Sequence, residues 1–180
     1  MAIWDIKERN DLVRANNDVK GTKGFFGGGY VAPANNTSID IVDFVAGGNV
    51  RDFGDLANAF NQQGGGNAGS STRGFIRFGG EGSPAYTTAS EVITLTGGLG
   101  AKAQSFGDLT VGASAKGSLS SNTRALAAGG AIAPAGGAQD VIDVFTIATA
   151  GDAADFGDLG AAQGNTTRGV GNNTKAVTTS

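Results

Sequence analysis

Between residues 22 and about 170 the chain alternates short apolar, β-branched runs with glycine-bearing polar stretches. The runs are Ile39-Asp40-Ile41-Val42-Asp43-Phe44, Val92-Ile93-Thr94-Leu95 and Val141-Ile142-Asp143-Val144-Phe145-Thr146-Ile147. A glycine-bearing turn follows each, as at Gly47-Gly48-Asn49 and Gly151-Asp152. Runs of this length, rich in Val, Ile and Thr and bounded by glycine, predict strands and turns.

The pattern repeats. Phe-Gly-Asp-Leu occurs at 53–56, 106–109 and 156–159, spaced 53 and 50 residues apart. A second string keeps phase with it: Thr22-Lys23-Gly24 through Gly28-Gly29, Thr72-Arg73-Gly74 through Gly79-Gly80, and Thr123-Arg124 through Gly129-Gly130, with a fragment at Thr167-Arg168-Gly169. Pro33, Pro84 and Pro134 fall one per repeat in the loop after the double glycine, which fixes the register independently. Each unit thus reads as a strand ending in paired glycines, a variable loop, a β-branched strand, a turn and a Phe-Gly-Asp-Leu strand. The units are 22–71, 72–122 and 123–170, and a period near 50 with three or four short strands is that of a blade or a trefoil lobe.

The ends differ from the repeats. Residues 1–20 hold 8 of the 29 charged residues, and Ile3, Trp4, Ile6, Leu12 and Val13 fall partly at helical spacing. Segment 1–21 is therefore expected to be an arm that docks on a partner or folds back on the repeats. Segment 171–180 is polar without a strand pattern and is expected to be disordered or to pair with a neighbour.

Composition changes the energetic picture. Glycine supplies 32 of 180 residues and the apolar fraction is 39%, much of it alanine. Ordered glycine costs backbone entropy, and a small alanine-rich core offsets little of it. Packing against copies of itself would supply the missing burial.

The chemistry available is narrow. Cysteine and histidine are absent, so thiolate sites, the commonest general base and the commonest transition-metal ligand are missing. The net charge of −3 gives no basic footprint for nucleic acid. No apolar run approaches the roughly 20 residues that span a bilayer, and residues 1–20 lack a signal-peptide core, which predicts a soluble chain with no membrane insertion. Asp-Phe-Gly at 52–54 and 155–157 lacks the histidine-bearing catalytic loop that would make it a kinase motif. The glycine clusters lack a phosphate-loop ending, and Asp152, Asp155 and Asp158 lack the spacing of a calcium loop. No catalytic residue, metal site or cofactor is assigned.

The recurring residues instead read as structural. Phe53, Phe106 and Phe156 would pack between neighbouring sheets, and the glycine after each would permit a turn or bulge. Asp55, Asp108 and Asp158 would accept backbone or arginine hydrogen bonds. Lys23, Arg73, Arg124 and Arg168 recur in phase with those aspartates, which suggests ion pairs between repeats.

The order of double glycine, β-branched strand, turn, aromatic strand and Thr-Arg linker is similar to the kelch repeat of β-propellers. More closely, Gly-Asp-Ala-Ala-Asp-Phe-Gly-Asp-Leu at 151–159, with Thr-Arg-Gly-Phe at 72–75, resembles the kelch-like repeats of virion proteins from marine bacteriophages, including cyanophages. The resemblance covers residues 22 to about 170. Phenylalanine stands where kelch repeats carry tryptophan, and three blades are too few for a ring of about 4–8. It implies an all-β fold of three blade-type repeats, two chains closing a six-bladed ring, or a β-trefoil or prism with pseudo-three-fold symmetry. It also implies a place in the virion, as a self-assembling tail, fibre or capsid-decoration subunit that meets other virion proteins through the arm. The alternative is a module whose loops bind host-surface glycans, where Tyr30 and Tyr86 are the available aromatics. An enzyme would have to work with carboxylates alone.

Overall fold

The computed structural model describes residues 23–31, 33–59, 68–80, 86–96, 98–132, 137–164, 168–171 and 173–179. The described residues are all-β, without a helix, in several sheets of which none closes on itself. The arm residues Ile3, Trp4, Ile6, Leu12 and Val13 lie outside them.

The first unit holds β1 (Lys23–Gly27), a small hairpin of β2 (Tyr30–Val31) and β3 (Ala34–Asn35), then β4 (Ser38–Asp43) and β5 (Arg51–Asp55). β1 and β5 flank β4, both antiparallel to it. In β4 the residues alternate as period two demands, Ile39 and Ile41 turning inward between less buried Ser38, Asp40 and Val42. The second unit repeats this with β6 (Arg73–Gly80), β7 (Thr87–Thr94) and β9 (Gln104–Asp108), while its two-residue β8 (Ala101–Lys102) pairs parallel with β5 of the first unit. The third has β11 (Arg124–Ala128), β12 (Ala131–Ile132), β13 (Gly137–Thr146) and β14 (Ala154–Gln163), and β10 (Gly117–Ser120), from the end of the second repeat, joins β11, β13 and β14 in an antiparallel meander.

A hydroxyl fixes the entry to the second and third units. Ser70 Oγ accepts the N–H groups of Thr72 and Arg73, and Ser121 Oγ those of Thr123 and Arg124. Such serine-centred turns hold the chain for its reversal into the next strand. The Thr-Arg string is thus the end of a turn and the start of a strand.

The tail departs from expectation. β15 (Arg168–Gly171) pairs with β16 (Ala176–Thr179), so part of 171–180 is a strand on its own chain. Ala-Val-Thr-Thr has enough β-branched character to continue a hairpin once β15 offers an edge.

Burial tracks position in the array. β6, in the middle unit, is buried along most of its length, whereas β14, in the last unit, is mostly exposed. The core lies between units. Ile39, Ile41, Phe53 and Leu56 of the first pack on Ile76, Ile93 and Ala103 of the second. Phe75, Val92, Phe106 and Leu109 of the second pack on Ala125, Ala127, Phe145 and Ile147 of the third.

Candidate functional site

The site that the repeat motif builds is the seam between consecutive units. In the first unit Ile39 opposes Gly54 while Asp40 opposes Asp52, leaving Phe53 as the extra residue of a β-bulge. The same slip leaves Phe106 unpaired between Ser90/Gly107 and Glu91/Ser105, and Phe156 between Ile142/Gly157 and Asp143/Asp155. A bulge bends its strand and re-aims its side chain. Phe53 meets Phe25 edge-on at 5.0 Å, and Phe106 meets Phe75 at 4.7 Å.

The following glycines have φ of 155°, 155° and 140° at Gly54, Gly107 and Gly157, a region that side-chain-bearing residues avoid. At Gly54 and Gly107 there is a second reason. The carbonyl oxygens of Ala101 and Gly151, from the next unit, stand where a Cβ would be. That close approach lets the backbones bond directly: Gly100 N–H donates to Phe53 O at 2.7 Å and Ala103 N–H to Asp55 O at 2.8 Å. Gly151 N–H to Phe106 O and Ala153 N–H to Asp108 O, both 2.8 Å, repeat the arrangement.

A buried acid closes each seam from the other side. Glu91 Oε2 accepts Ala57 N–H at 2.9 Å, and Asp143 Oδ1 accepts Thr110 N–H at 3.2 Å and the Thr110 hydroxyl at 2.5 Å. Ala57 and Thr110 are the residues directly after Phe-Gly-Asp-Leu. Each acid carries a buried cation: Arg77 Nη1 lies 2.8 Å from Glu91, and Lys116 Nζ lies 3.3 Å from Asp143. Burial pushes the Arg77 guanidinium down to about 10, against the pull of Glu91. Burial likewise holds the Lys116 ammonium below its ordinary 10.5, with Asp143 drawing it partway back.

The recurring cations do other work. Arg73 donates to Ile147 O at 2.8 Å and Ala148 O at 3.0 Å, clamping the turn of the third unit, and stands 5.9 Å from the Phe106 ring centroid. Lys23 and Arg124 open their strands in exposed positions, and Arg168 opens β15. Of the aspartates, Asp55 accepts the Thr37 hydroxyl at 3.0 Å, Asp108 gives its backbone N–H to Asp152, and Asp158 is exposed.

Two expectations need correcting. The pairing of Lys23, Arg73 or Arg124 with Asp55, Asp108 or Asp158 does not form among the described residues. Arg73 does reach the next unit, but its donors go to the Ile147 and Ala148 carbonyls there, and Asp55 accepts from Thr37 of its own unit. Nor does Phe156 share the burial of its counterparts: Phe53 and Phe106 are 1% and 3% exposed, Phe156 54%, since among the described residues no unit packs on the third as the third packs on the second. It borders a groove of about 400 Å³ with Leu126, Ile142 and Leu159, and nothing stands where a Gly157 Cβ would be.

Sequence reading missed Glu91, Asp143, Arg77 and Lys116. The signal was an acidic residue inside or directly before each β-branched run, Asp40, Glu91 and Asp143, where an unpaired carboxylate would be costly.

Comparison with known proteins adds no relative: no protein-family model matches the chain, and no curated protein matches it.

Proposed function

We propose that the protein is a structural, self-assembling virion protein of a bacteriophage, a tail, fibre or capsid-decoration subunit built from kelch-like blades. The observation that carries this reading is the contrast between two filled seams and one open one. A surface that buries Phe53 and Phe106 inside the chain stays 54% exposed at Phe156, beside a groove that Asn173, Thr174 and Lys175 also line. Exposed apolar surface rimmed by unpaired strand edge is a template for another protein.

The blade reading is supported by the meander of β10, β11, β13 and β14, the strand order of a propeller blade. Closure as a trefoil within one chain has no such support: among the described residues nothing stands within 4 Å of where a Gly157 Cβ would be, whereas Gly54 and Gly107 each face a carbonyl there. Attachment to other virion proteins through the 1–21 arm, and location in the virion, belong to the same proposal.

The test is the solution mass by light scattering over a concentration series at near-physiological salt. A species heavier than the 17.8 kDa chain is expected. A monomer at every concentration would sink self-assembly.

A second reading, a host-glycan-binding module, draws on the exposed Tyr30 ring beside the first loop hairpin. Aromatic rings stack on sugar faces, so Tyr30→Ala would abolish binding on a glycan array if this reading holds.

A further inference from the structure

The two halves of an unused seam lie at opposite ends of the same chain. We infer that copies join head to tail, the first unit of one chain docking on the third unit of the next in the geometry of the internal seams. This rests on the self-assembly reading and specifies its mode.

One half is the third unit's bulge strand. Phe156 is exposed, Gly157 has open space where Gly54 and Gly107 face an incoming carbonyl, and Arg124, the counterpart of the turn-clamping Arg73, is exposed.

The other half is the first unit's turn, which has the same length as the third unit's. Asp43 to Val50 spans as many residues as Thr146 to Ala153, placing Gly48, Asn49 and Val50 at the positions of Gly151, Asp152 and Ala153. Gly47 N–H closes this turn onto Asp43 O at 3.0 Å, and Gly48 has open space around it. Phe26, Phe44 and Val50 are exposed, although their counterparts Ile76 and Ala127, Ile147, and Ala103 are buried in seams.

Transferring the second seam residue by residue gives each unused group a partner. Gly48 N–H would donate to Phe156 O, and Val50 N–H to Asp158 O, as Gly151 and Ala153 donate to Phe106 and Asp108. Asn49 Oδ1 would accept Asp158 N–H in the role of Asp152 Oδ1, which accepts Asp108 N–H at 2.9 Å. Asp40, in register with Glu91 and Asp143, would accept Gly160 N–H, and Arg124 would reach the carbonyls of Phe44 and Val45. An amide oxygen replaces a carboxylate at Asn49 without loss of acceptor function. The contact is heterologous, so it closes into a ring if the rotation permits and otherwise propagates as a filament.

The absence of cysteine makes the test direct. Full-length Asn49→Cys and Asp158→Cys chains, mixed and treated with a short bis-maleimide, are expected to give a cross-linked dimer, with little product from either variant alone. Full-length Val50→Asp, altered at an exposed position, is expected to weaken association about tenfold or more with the circular dichroism unchanged. Oligomers that form without the mixed cross-link, or with Val50→Asp as competent as wild type, overturn the head-to-tail mode and leave self-assembly standing. A chain monomeric throughout overturns both.

Discussion

Gly107 and the carbonyl of Gly151 occupy a single position between them: the oxygen of one fills the space that a side chain on the other would need. The exclusion is between backbones, so no rotamer change relieves it. Gly107→Ala must both accept an unfavourable φ, about 1–3 kcal/mol, and open the seam. Gly157→Ala carries the first cost alone. Urea unfolding under monomeric conditions should therefore show Gly107→Ala as the more destabilised, and equal losses would contradict the seam.

The phenylalanines provide a parallel comparison. Phe53→Ala and Phe106→Ala are each expected to cost about 3–5 kcal/mol, the usual range for a buried ring. Phe156→Ala should cost under about 1 kcal/mol in the isolated chain, since surface changes are mostly small. The same substitution should impair association, which makes a shift in oligomer mass without a shift in monomer stability the informative readout.

Glu91 sits on two interactions at once, the Arg77 guanidinium and the Ala57 N–H. Glu91→Ala leaves a buried cation without its carboxylate, at about 3–5 kcal/mol. The double variant Arg77→Met, Glu91→Leu removes the stranded charge and should lose less than Glu91→Ala alone. If it loses more, the pair contributes net stability that desolvation does not cancel.

Lys116 gives a pH signature. Its folded pKa is depressed below 10.5, so between the two values the unfolded chain binds more protons than the folded one. Unfolding free energy then rises with pH across that window and is flat below it. Chemical denaturation from about pH 8 upward should show the rise in wild type and a smaller one in Lys116→Met. The difference between the two proteins isolates Lys116 from Arg77, whose own window lies above about 10.

The parts of this architecture legible in the sequence are those that geometry leaves no freedom to vary. Phe-Gly-Asp-Leu stands out because a bulged ring and a positive-φ glycine against a carbonyl admit few substitutes. The buried acids were not legible, because Glu91 and Asp143 differ in side-chain length. Their known cations also arrive from unrelated places, Arg77 from the adjacent strand and Lys116 from the linker. The arginine–aspartate reading failed for another reason: equal phase fixes equal position in successive units, and the cation of one unit reaches the turn carbonyls of the next, not its aspartate. Exposure of Phe156 was hidden by the repeat itself, since an identical motif has a different environment where no described unit packs on it.

Because each seam is made by consecutive units through main-chain bonds and one re-aimed ring, adding a unit adds a seam and disturbs none already present. Duplication or loss of about 50 residues would lengthen or shorten the array in whole steps, so that the gene could set its reach by counting.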